Sequence, residues 1–202
     1  MSPAPARTSD EAVVAAGREL LEAGGLDAVT MLAVADRVGV RAPSLYKRFP
    51  ARGALIAAIA IDVLGDLERR VGLFGEDEDP EAGLRSLAIA FREFAHANPH
   101  AYALVFQDLP ADSRPPAESL AAAARPVVEL AQRLVGQERT LEAARLVTAF
   151  VHGFVSMELA GAFRLGGNID DAFAYGVDVL VNALGTPRPA DRPRKRKRRR
   201  RK

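Results

Sequence analysis

Cysteine and tryptophan are both absent from this chain of 202 residues, which also contains only 3 tyrosines. Without cysteine there is no disulfide framework and no thiolate metal site. No apolar run approaches the roughly 20 residues that a membrane-spanning helix needs, and the first residues lack the apolar core of a signal peptide. We therefore expect a cytoplasmic protein that makes no contact with a membrane.

Motifs for catalysis and metal binding are also missing from the sequence. It contains no glycine-rich phosphate loop and no serine or cysteine nucleophile motif. His96 and His100 are spaced like a helical zinc pair, but Pro99 interrupts the helix that would align them. We expect no enzymatic activity, no cofactor and no bound metal.

Charge is distributed very unevenly along the chain. The formal net charge is +2, yet residues 188–202 contain 11 lysines or arginines and one aspartate, a net of +10. Residues 1–187 therefore carry a net charge of −8. A like-charge run with prolines cannot bury apolar surface, so we expect a disordered basic tail over 186–202. Such a tail would add salt-dependent DNA affinity, bind the acidic body or remain a neutral solvated segment.

Apolar residues recur at helical intervals along the chain, and no stretch shows the period-two alternation of a strand. The fold class is therefore predicted to be all-α. Pro126 is expected to kink or split its helix. The pattern predicts an early helix that ends at Gly24-Gly25, a helix after Arg52, and later helices at about 80–97, 99–108, 116–135, 138–165 and 169–185.

The segment 30–55 has the pattern of two short helices joined by a tight turn. Val34 lies on the inner face of the first helix, Gly39 supplies the turn, and Leu45 and Phe49 return apolar groups to the same small core. The second helix must therefore cross the first, which predicts a helix-turn-helix.

Basic and hydroxyl side chains cluster on the outward face of the second short helix. Residues 36–55 contain five cations and one anion, and one helix of this kind can contact both phosphates and base edges. An ordinary solvated helical face is the alternative interpretation. Ser44 and Lys47 are the base-edge candidates, Tyr46 and Arg52 the phosphate candidates, and Thr30 is expected to cap the first helix. The full set of DNA-contact candidates is Thr30, Arg41, Ala42, Pro43, Ser44, Tyr46, Lys47, Arg48 and Arg52.

The same residues carry a resemblance to the N-terminal domain of the TetR family of transcriptional regulators, over residues 12–63. The family usually has serine where this chain has Arg41, which leaves room for Arg41 to reach DNA directly. The resemblance implies three DNA-binding helices and a fourth that links them to a larger helical domain, which binds a small molecule and dimerises. It rests on Thr30, Val34-Ala35, Gly39-Val40, Leu45-Tyr46-x-x-Phe49, Pro50, Arg52 and Leu55.

The segment 141–163 is apolar or small almost all round, so both of its faces need to be covered. One face would line a ligand pocket or simply the core. His152-Gly153 also resembles the C-terminal domain of a TetR subfamily named for a Trp, His, Gly signature, although this chain has no tryptophan. The ligand-contact candidates are Phe91, Phe94, Tyr102, Phe106, Phe150, His152, Phe154 and Met157.

A stripe of small residues on the same segment would let a partner helix approach closely, and the last helix is its natural companion. Two such helices from each of two chains would form a four-helix dimer interface, as is usual in the TetR family; a purely intramolecular core is the alternative. The dimer candidates are Ala149, Gly153, Ser156, Ala160, Phe173, Gly176, Leu180 and Leu184.

The sequence thus predicts a homodimeric, nucleoid-associated repressor that binds palindromic double-stranded operator DNA and is released by a small, mostly apolar effector. Two alternatives remain: a loosely specific architectural DNA-binding protein driven by the basic tail, and a helical small-molecule-binding protein or enzyme with a vestigial helix-turn-helix. The expected domains are an arm over 1–9, a helix-turn-helix domain over 10–52, a ligand-binding and dimerisation domain over 53–185, and the tail over 186–202.

Overall fold

A computed structural model describes residues 9–74 and 79–186, and every regular element within these ranges is helical. The all-α prediction is confirmed. All but Thr186 of the expected basic tail and all but Ser9 of the N-terminal arm lie outside the described residues. The α-helices of the described part, numbered in chain order, are α1 Asp10–Gly24, α2 Met31–Val38, α3 Ala42–Tyr46, α4 Arg52–Gly72, α5 Pro80–Ala97, α6 Pro99–Phe106, α7 Ala117–Val135, α8 Thr140–Leu159 and α9 Ile169–Gly185.

Polar caps and glycines set many of the helix boundaries. The Ser9 hydroxyl accepts a hydrogen bond from the backbone N–H of Ala12, at 3.1 Å, and the Asn168 side chain accepts from the first backbone N–H groups of α9. Gly39 closes α2 with φ 72°, in the left-handed region that glycine adopts without strain. The helix predicted over 138–165 is shorter than expected, because α8 ends at Leu159 and Gly161 follows with φ 63°.

Helices α1 to α3 and the first half of α4 enclose one end of a continuous hydrophobic core. Val13, Val34, Leu45 and Phe49 are all buried there, as their spacing predicts. Arg18 of α1 fastens the far side of this unit by donating to carboxylates of α4, at 2.9 Å from Asp62 and 2.7 Å from Asp66. These contacts fix the orientation of the helix-turn-helix relative to α4.

The second half of α4 belongs to the larger helical domain. It packs along α7, which lies against α5 and α8, while α9 covers the outer side of α5 and α8. Pro126 is buried inside α7 and does not split it, contrary to one of the two expectations for this residue. Helix α4 therefore lies in both units and connects the larger domain to the helix-turn-helix.

Candidate nucleic-acid interface and internal cavity

The helix-turn-helix consists of α2, the turn at Gly39 and α3, and its helix starts and buried positions follow from residues within the same segment. The Thr30 hydroxyl caps α2 by accepting from the backbone N–H of Ala33 at 3.1 Å, which confirms the predicted cap. Arg41 is the residue before α3, in extended conformation, and its side chain makes no capping bond. Leu45 is buried, whereas the neighbouring Tyr46 is 49% exposed. Helix α3, the predicted DNA-recognition helix, therefore exposes polar side chains to solvent.

Helix α3 is shorter than the predicted outward face requires. It ends at Tyr46, so Lys47 and Arg48 lie in the turn that follows rather than on the helix itself. The backbone of Lys47 is still right-handed helical, with φ −68° and ψ −23°. Ser44, Lys47 and Arg48 are all exposed, although only Ser44 lies within α3.

The basic side chains of this region fall into two groups. Arg37 pairs with Glu19 at 3.0 Å, Arg48 pairs with Asp10 at 2.6 Å, and Arg52 donates to the backbone carbonyls of Val29 and Leu26 at 2.7 and 2.6 Å. The side chains of Arg41 and Lys47 make no hydrogen bond or ion pair with any residue that the structure describes. The two exposed cations at Arg41 and Lys47 are thus available to a ligand.

Arg52, predicted to contact a phosphate, has a structural task in this conformation. Its guanidinium joins the first turn of α4 to the loop that precedes α2 and satisfies two carbonyl groups there. A contact between Arg52 and DNA stays a prediction.

The helix-turn-helix unit also contacts the segment 98–113, which contains α6. Glu22, near the end of α1, accepts hydrogen bonds from the backbone N–H groups of His100 and Ala101, at 3.3 and 2.7 Å, and so caps the start of α6. Beyond the other end of α6, the carboxylate of Asp112 lies so close to Gly53 of α4 that a Cβ there would collide with it. The two ends of this segment are therefore seated on α1 and α4.

A cavity of about 240 Å³ lies between α4, α5, α6, α7 and α8. Two of the eight predicted ligand-contact residues, Phe91 and Phe106, line it. The prediction missed the other twelve lining residues as ligand contacts. The apolar stripe of α4 and the alanine run of α7 are sequence features that could have identified some of them. The full lining is Leu64, Leu67, Val71, Leu87, Phe91, Val105, Phe106, Leu120, Ala123, Ala124, Val127, Val147, Thr148 and Val151.

Tyr102 and His152 lie beside this cavity and bind each other. The Tyr102 hydroxyl is 2.6 Å from Nδ1 of His152 and 3.2 Å from Oγ of Ser156, and the His152 ring stacks on Phe106 with centroids 4.3 Å apart. Burial lowers the pKa of His152 below its usual range, and burial, opposed by the hydrogen bond with Ser156, raises the pKa of Tyr102. Both side chains are therefore neutral at pH 7.

The remaining four ligand candidates lie elsewhere. Phe94 is fully buried beneath the guanidinium of Arg70, whereas Phe150 and Phe154 pack towards Phe173 of α9. Met157 is 49% exposed at the outer surface of α8. The eight candidates thus form separate clusters instead of surrounding one space, because α8 turns its aromatic face towards α9 and another face towards the cavity.

The candidate dimer residues of α8 and α9 differ in how far they are exposed. Ala149 and Ala160 are exposed, Gly153, Ser156, Leu180 and Leu184 are half-buried, and Gly176 packs closely against the ring of Phe150. Phe173 is only 2% exposed, so it belongs to the core of its own chain. Large apolar side chains that sequence reasoning did not assign to this surface are exposed beside the stripe, namely Leu146, Met157, Tyr175 and Val179.

Neither a metal site nor a membrane-spanning helix is found in the described part of the chain. Within 9–74 and 79–186, no group of three or more His, Cys, Asp or Glu side chains is arranged to hold a metal ion. No helix in those ranges is both long enough and apolar enough to cross a membrane.

An exposed basic helix-turn-helix, seated on a larger helical domain that contains a cavity, defines the class of protein: a DNA-binding regulator of the helix-turn-helix type. Comparison with family models agrees. Residues 13–59 match the family described as bacterial regulatory proteins, tetR family, and residues 84–180 match the tetracyclin repressor-like C-terminal domain. The chain belongs to the TetR family of transcriptional regulators.

Curated relatives give the same assignment. An uncharacterized HTH-type transcriptional regulator of Mycobacterium tuberculosis is 29% identical over 91% of this chain and 84% of its own length. The class G tetracycline repressor of Vibrio anguillarum is 38% identical over 40% of this chain and 38% of its own length.

Solved structures share the fold. A protein of unknown function from Rhodococcus sp. RHA1 superposes with a TM-score of 0.76 at 21% identity, covering 92% of this chain and all of that one. A TetR variant from Acinetobacter baumannii in complex with minocycline gives a TM-score of 0.65 at 24% identity, covering 88% of this chain and 97% of that one.

Proposed function

We propose that this regulator is a repressor that binds a palindromic operator as a homodimer and leaves it when a small apolar effector enters the helical domain. The observation that carries the DNA-binding part is the pair of exposed cations at the two ends of α3, Arg41 and Lys47, which have no partner among the described residues. With Ser44 and Tyr46 exposed between them, they form a short surface that fits a major groove.

The same surface includes the remaining DNA-contact candidates. Ala42 and Pro43 open α3 and bring its N-terminus to the groove, while Thr30 places the N-terminus of α2 towards the phosphates. Arg48 lies next to Lys47, and its ion pair with Asp10 places its guanidinium at the edge of the interface. These contacts position the protein, and Arg41, Ser44 and Lys47 read bases.

The apolar surface of α8 and α9 supports homodimerisation. Leu146, Ala149, Gly153 and Met157 follow each other at helical spacing on α8, and Tyr175 and Val179 extend the surface on α9. Exposed apolar side chains beside small ones let two helix pairs pack closely across a two-fold axis. Such a dimer would place two recognition helices about 34 to 36 Å apart, one turn of DNA.

The seating of 98–113 on the helix-turn-helix unit supports effector release. The middle of this segment lines the cavity through Val105 and Phe106, and its ends contact Glu22 of α1 and Gly53 of α4. A ligand that moves α6 or α4 would therefore shift both supports of the recognition helix. To change operator occupancy it must bind the two conformations with different affinity, by about 1 to 3 kcal/mol in typical cases.

Selection of duplex DNA from a random library at physiological salt tests this proposal. The full chain, a chain that ends at Gly185 and the Tyr46→Ala variant should be compared. We expect both chain lengths to enrich one palindrome and Tyr46→Ala to lose it. DNA binding that enriches no motif and is lost when residues 186–202 are removed would favour the architectural DNA-binding alternative instead.

A further inference from the structure

The cavity between α4 and α8 has walls that are almost entirely hydrocarbon. Of its fourteen lining residues, thirteen have apolar side chains and the other is Thr148. Among these residues, all of which the structure describes, none is ionisable. The cavity is partly open to solvent, since Leu120 is 45% exposed, but a charged group bound against its inner walls would lose hydration without gaining an ionic partner.

The polar side chains nearest to the cavity do not offer a compensating partner. The Tyr102 hydroxyl lies within hydrogen-bonding distance of His152 and Ser156, and the His152 ring is stacked on Phe106. Burial lowers the pKa of His152, so its imidazole carries no charge at pH 7 with which to bind an anion. Recognition of a ligand here must rest on shape and apolar contact.

The volume of the cavity indicates the size of the group that fits inside it. An engineered apolar cavity of about 150 Å³ takes up benzene, which has six carbon atoms. At about 240 Å³, this cavity accommodates roughly ten non-hydrogen atoms in the same proportion.

We infer that the effector of this regulator is an uncharged, mainly hydrocarbon molecule of about ten non-hydrogen atoms, carrying at most one hydroxyl or carbonyl group. The inference rests on the proposed function, in which this cavity is the effector site. Thr148 is placed to meet the single polar group, because its hydroxyl is the only polar side-chain group among the described lining residues.

The location of the cavity gives such a ligand a mechanical effect. Leu64, Leu67 and Val71 of α4 form one wall, and Ala123, Ala124 and Val127 of α7 form another. A molecule that fills the space holds these helices apart, whereas an empty cavity favours their closer approach. Because the first half of α4 belongs to the helix-turn-helix unit, a displacement of α4 at the cavity also moves the DNA-binding surface.

Three ligands with the same eight-carbon chain test the inference: 1-octanol, octanoate and octylammonium. Each is titrated by isothermal calorimetry into the full chain at pH 7. We expect 1-octanol to bind at one per chain, at least about tenfold more tightly than either charged molecule. Equal or tighter binding of octanoate or octylammonium, or no binding of 1-octanol up to its solubility limit, would overturn the inference.

A pair of alanine substitutions on α7 shows whether the ligand occupies this cavity. Ala123→Leu extends into the space, whereas Ala121→Leu adds the same atoms at an exposed position that does not line it. We expect Ala123→Leu to weaken 1-octanol by about tenfold or more and Ala121→Leu to leave it unchanged. The same loss in both variants, or in neither, would contradict the location, and the three-ligand comparison stands even if Ala123→Leu does not fold.

The operator affinity measured with each ligand separates this inference from the proposed function. Tight binding of 1-octanol with unchanged operator affinity would keep the ligand class and remove effector release. Release of the operator by octanoate alone would keep the proposed function and remove the ligand class.

Discussion

Single residues of the helix-turn-helix have different tasks even where their charge is the same. Arg37 and Arg52 are engaged within the fold, by Glu19 and by two backbone carbonyls, whereas Arg41 has no partner among the described residues. Arginine recognises guanine by donating two parallel hydrogen bonds to its major-groove edge, which lysine cannot reproduce with the same geometry. Arg41 is therefore the residue where sequence preference and charge can be tested separately.

Arg41→Ala is expected to weaken operator binding by about 1 to 3 kcal/mol and to relax the preference at one base pair in each half-site. Arg41→Lys should recover part of the affinity but not the preference, because it restores the charge without the planar fork. Binding assays on the selected operator and its single-base variants measure both effects. Arg37→Ala is the matched control, and a larger loss there, or an unaltered preference in Arg41→Ala, would contradict this role.

Glu158 lies in an ion-pair cluster of the helical domain. It accepts from Arg92 at 2.9 Å and 2.5 Å and lies 3.0 Å from Nε2 of His96. The hydrogen bond from Arg92 outweighs the opposing effect of burial and lowers the pKa of Glu158 to about 2. Since an unfolded carboxyl titrates near 4.5, this stabilisation is present above that pH and is lost as the pH falls towards 2.

Glu158→Gln should lower the free energy of unfolding by about 2 kcal/mol at pH 7, because it leaves Arg92 without its principal ionic partner. The difference from wild type should shrink as the pH falls from 4.5 towards 2. Urea unfolding across this range measures it. The exposed Glu118→Gln serves as the control, and an equal loss in the control or a difference independent of pH would refute the assignment.

At the scale of helices, the sequence predicted most boundaries because the terminating residues are local. Gly24-Gly25, Gly39 and Pro99 end or begin helices through backbone geometry that needs no tertiary partner. Helix α8 was predicted too long, since an apolar run to 163 does not reveal that the chain turns at Gly161. The aromatic face of α8 was likewise visible in the sequence, but which neighbouring helix it meets depends on long-range packing.

The exposed surface of α8 and α9 yields a prediction of its own. Val179 is 50% exposed on α9, so a glutamate there would leave the single chain folded but would place an unpaired charge in the proposed interface. Val179→Glu is expected to convert the dimer to a monomer in sedimentation equilibrium and to weaken operator binding by about a hundredfold. Leu73→Glu, at an exposed position beyond the end of α4, is the control. A dimeric Val179→Glu variant, or a monomeric control, would rule out this surface.

For the whole molecule, the sequence predicted the family and the division into a DNA-binding unit and a larger helical unit. It predicted little of the lining of the cavity. The helix-turn-helix is encoded within about 25 consecutive residues, from Thr30 to Leu55, so its pattern can be recognised without tertiary information. The cavity collects residues from five helices that are distant in sequence. The sequence therefore predicted only two of its lining residues as ligand contacts, Phe91 and Phe106, and missed others such as Leu120 and Thr148.

Binding to the selected palindrome with altered spacing between its half-sites tests the account most directly. An insertion of about 5 base pairs turns the second half-site to the opposite side of the duplex, whereas an insertion of about 10 restores its orientation but moves it about 34 Å away. We predict that two chains bind each unaltered duplex together and that the 5-base-pair insertion abolishes this joint binding. Equal affinity for the unaltered and inserted duplexes, or one chain per duplex, would contradict a dimeric, operator-specific regulator.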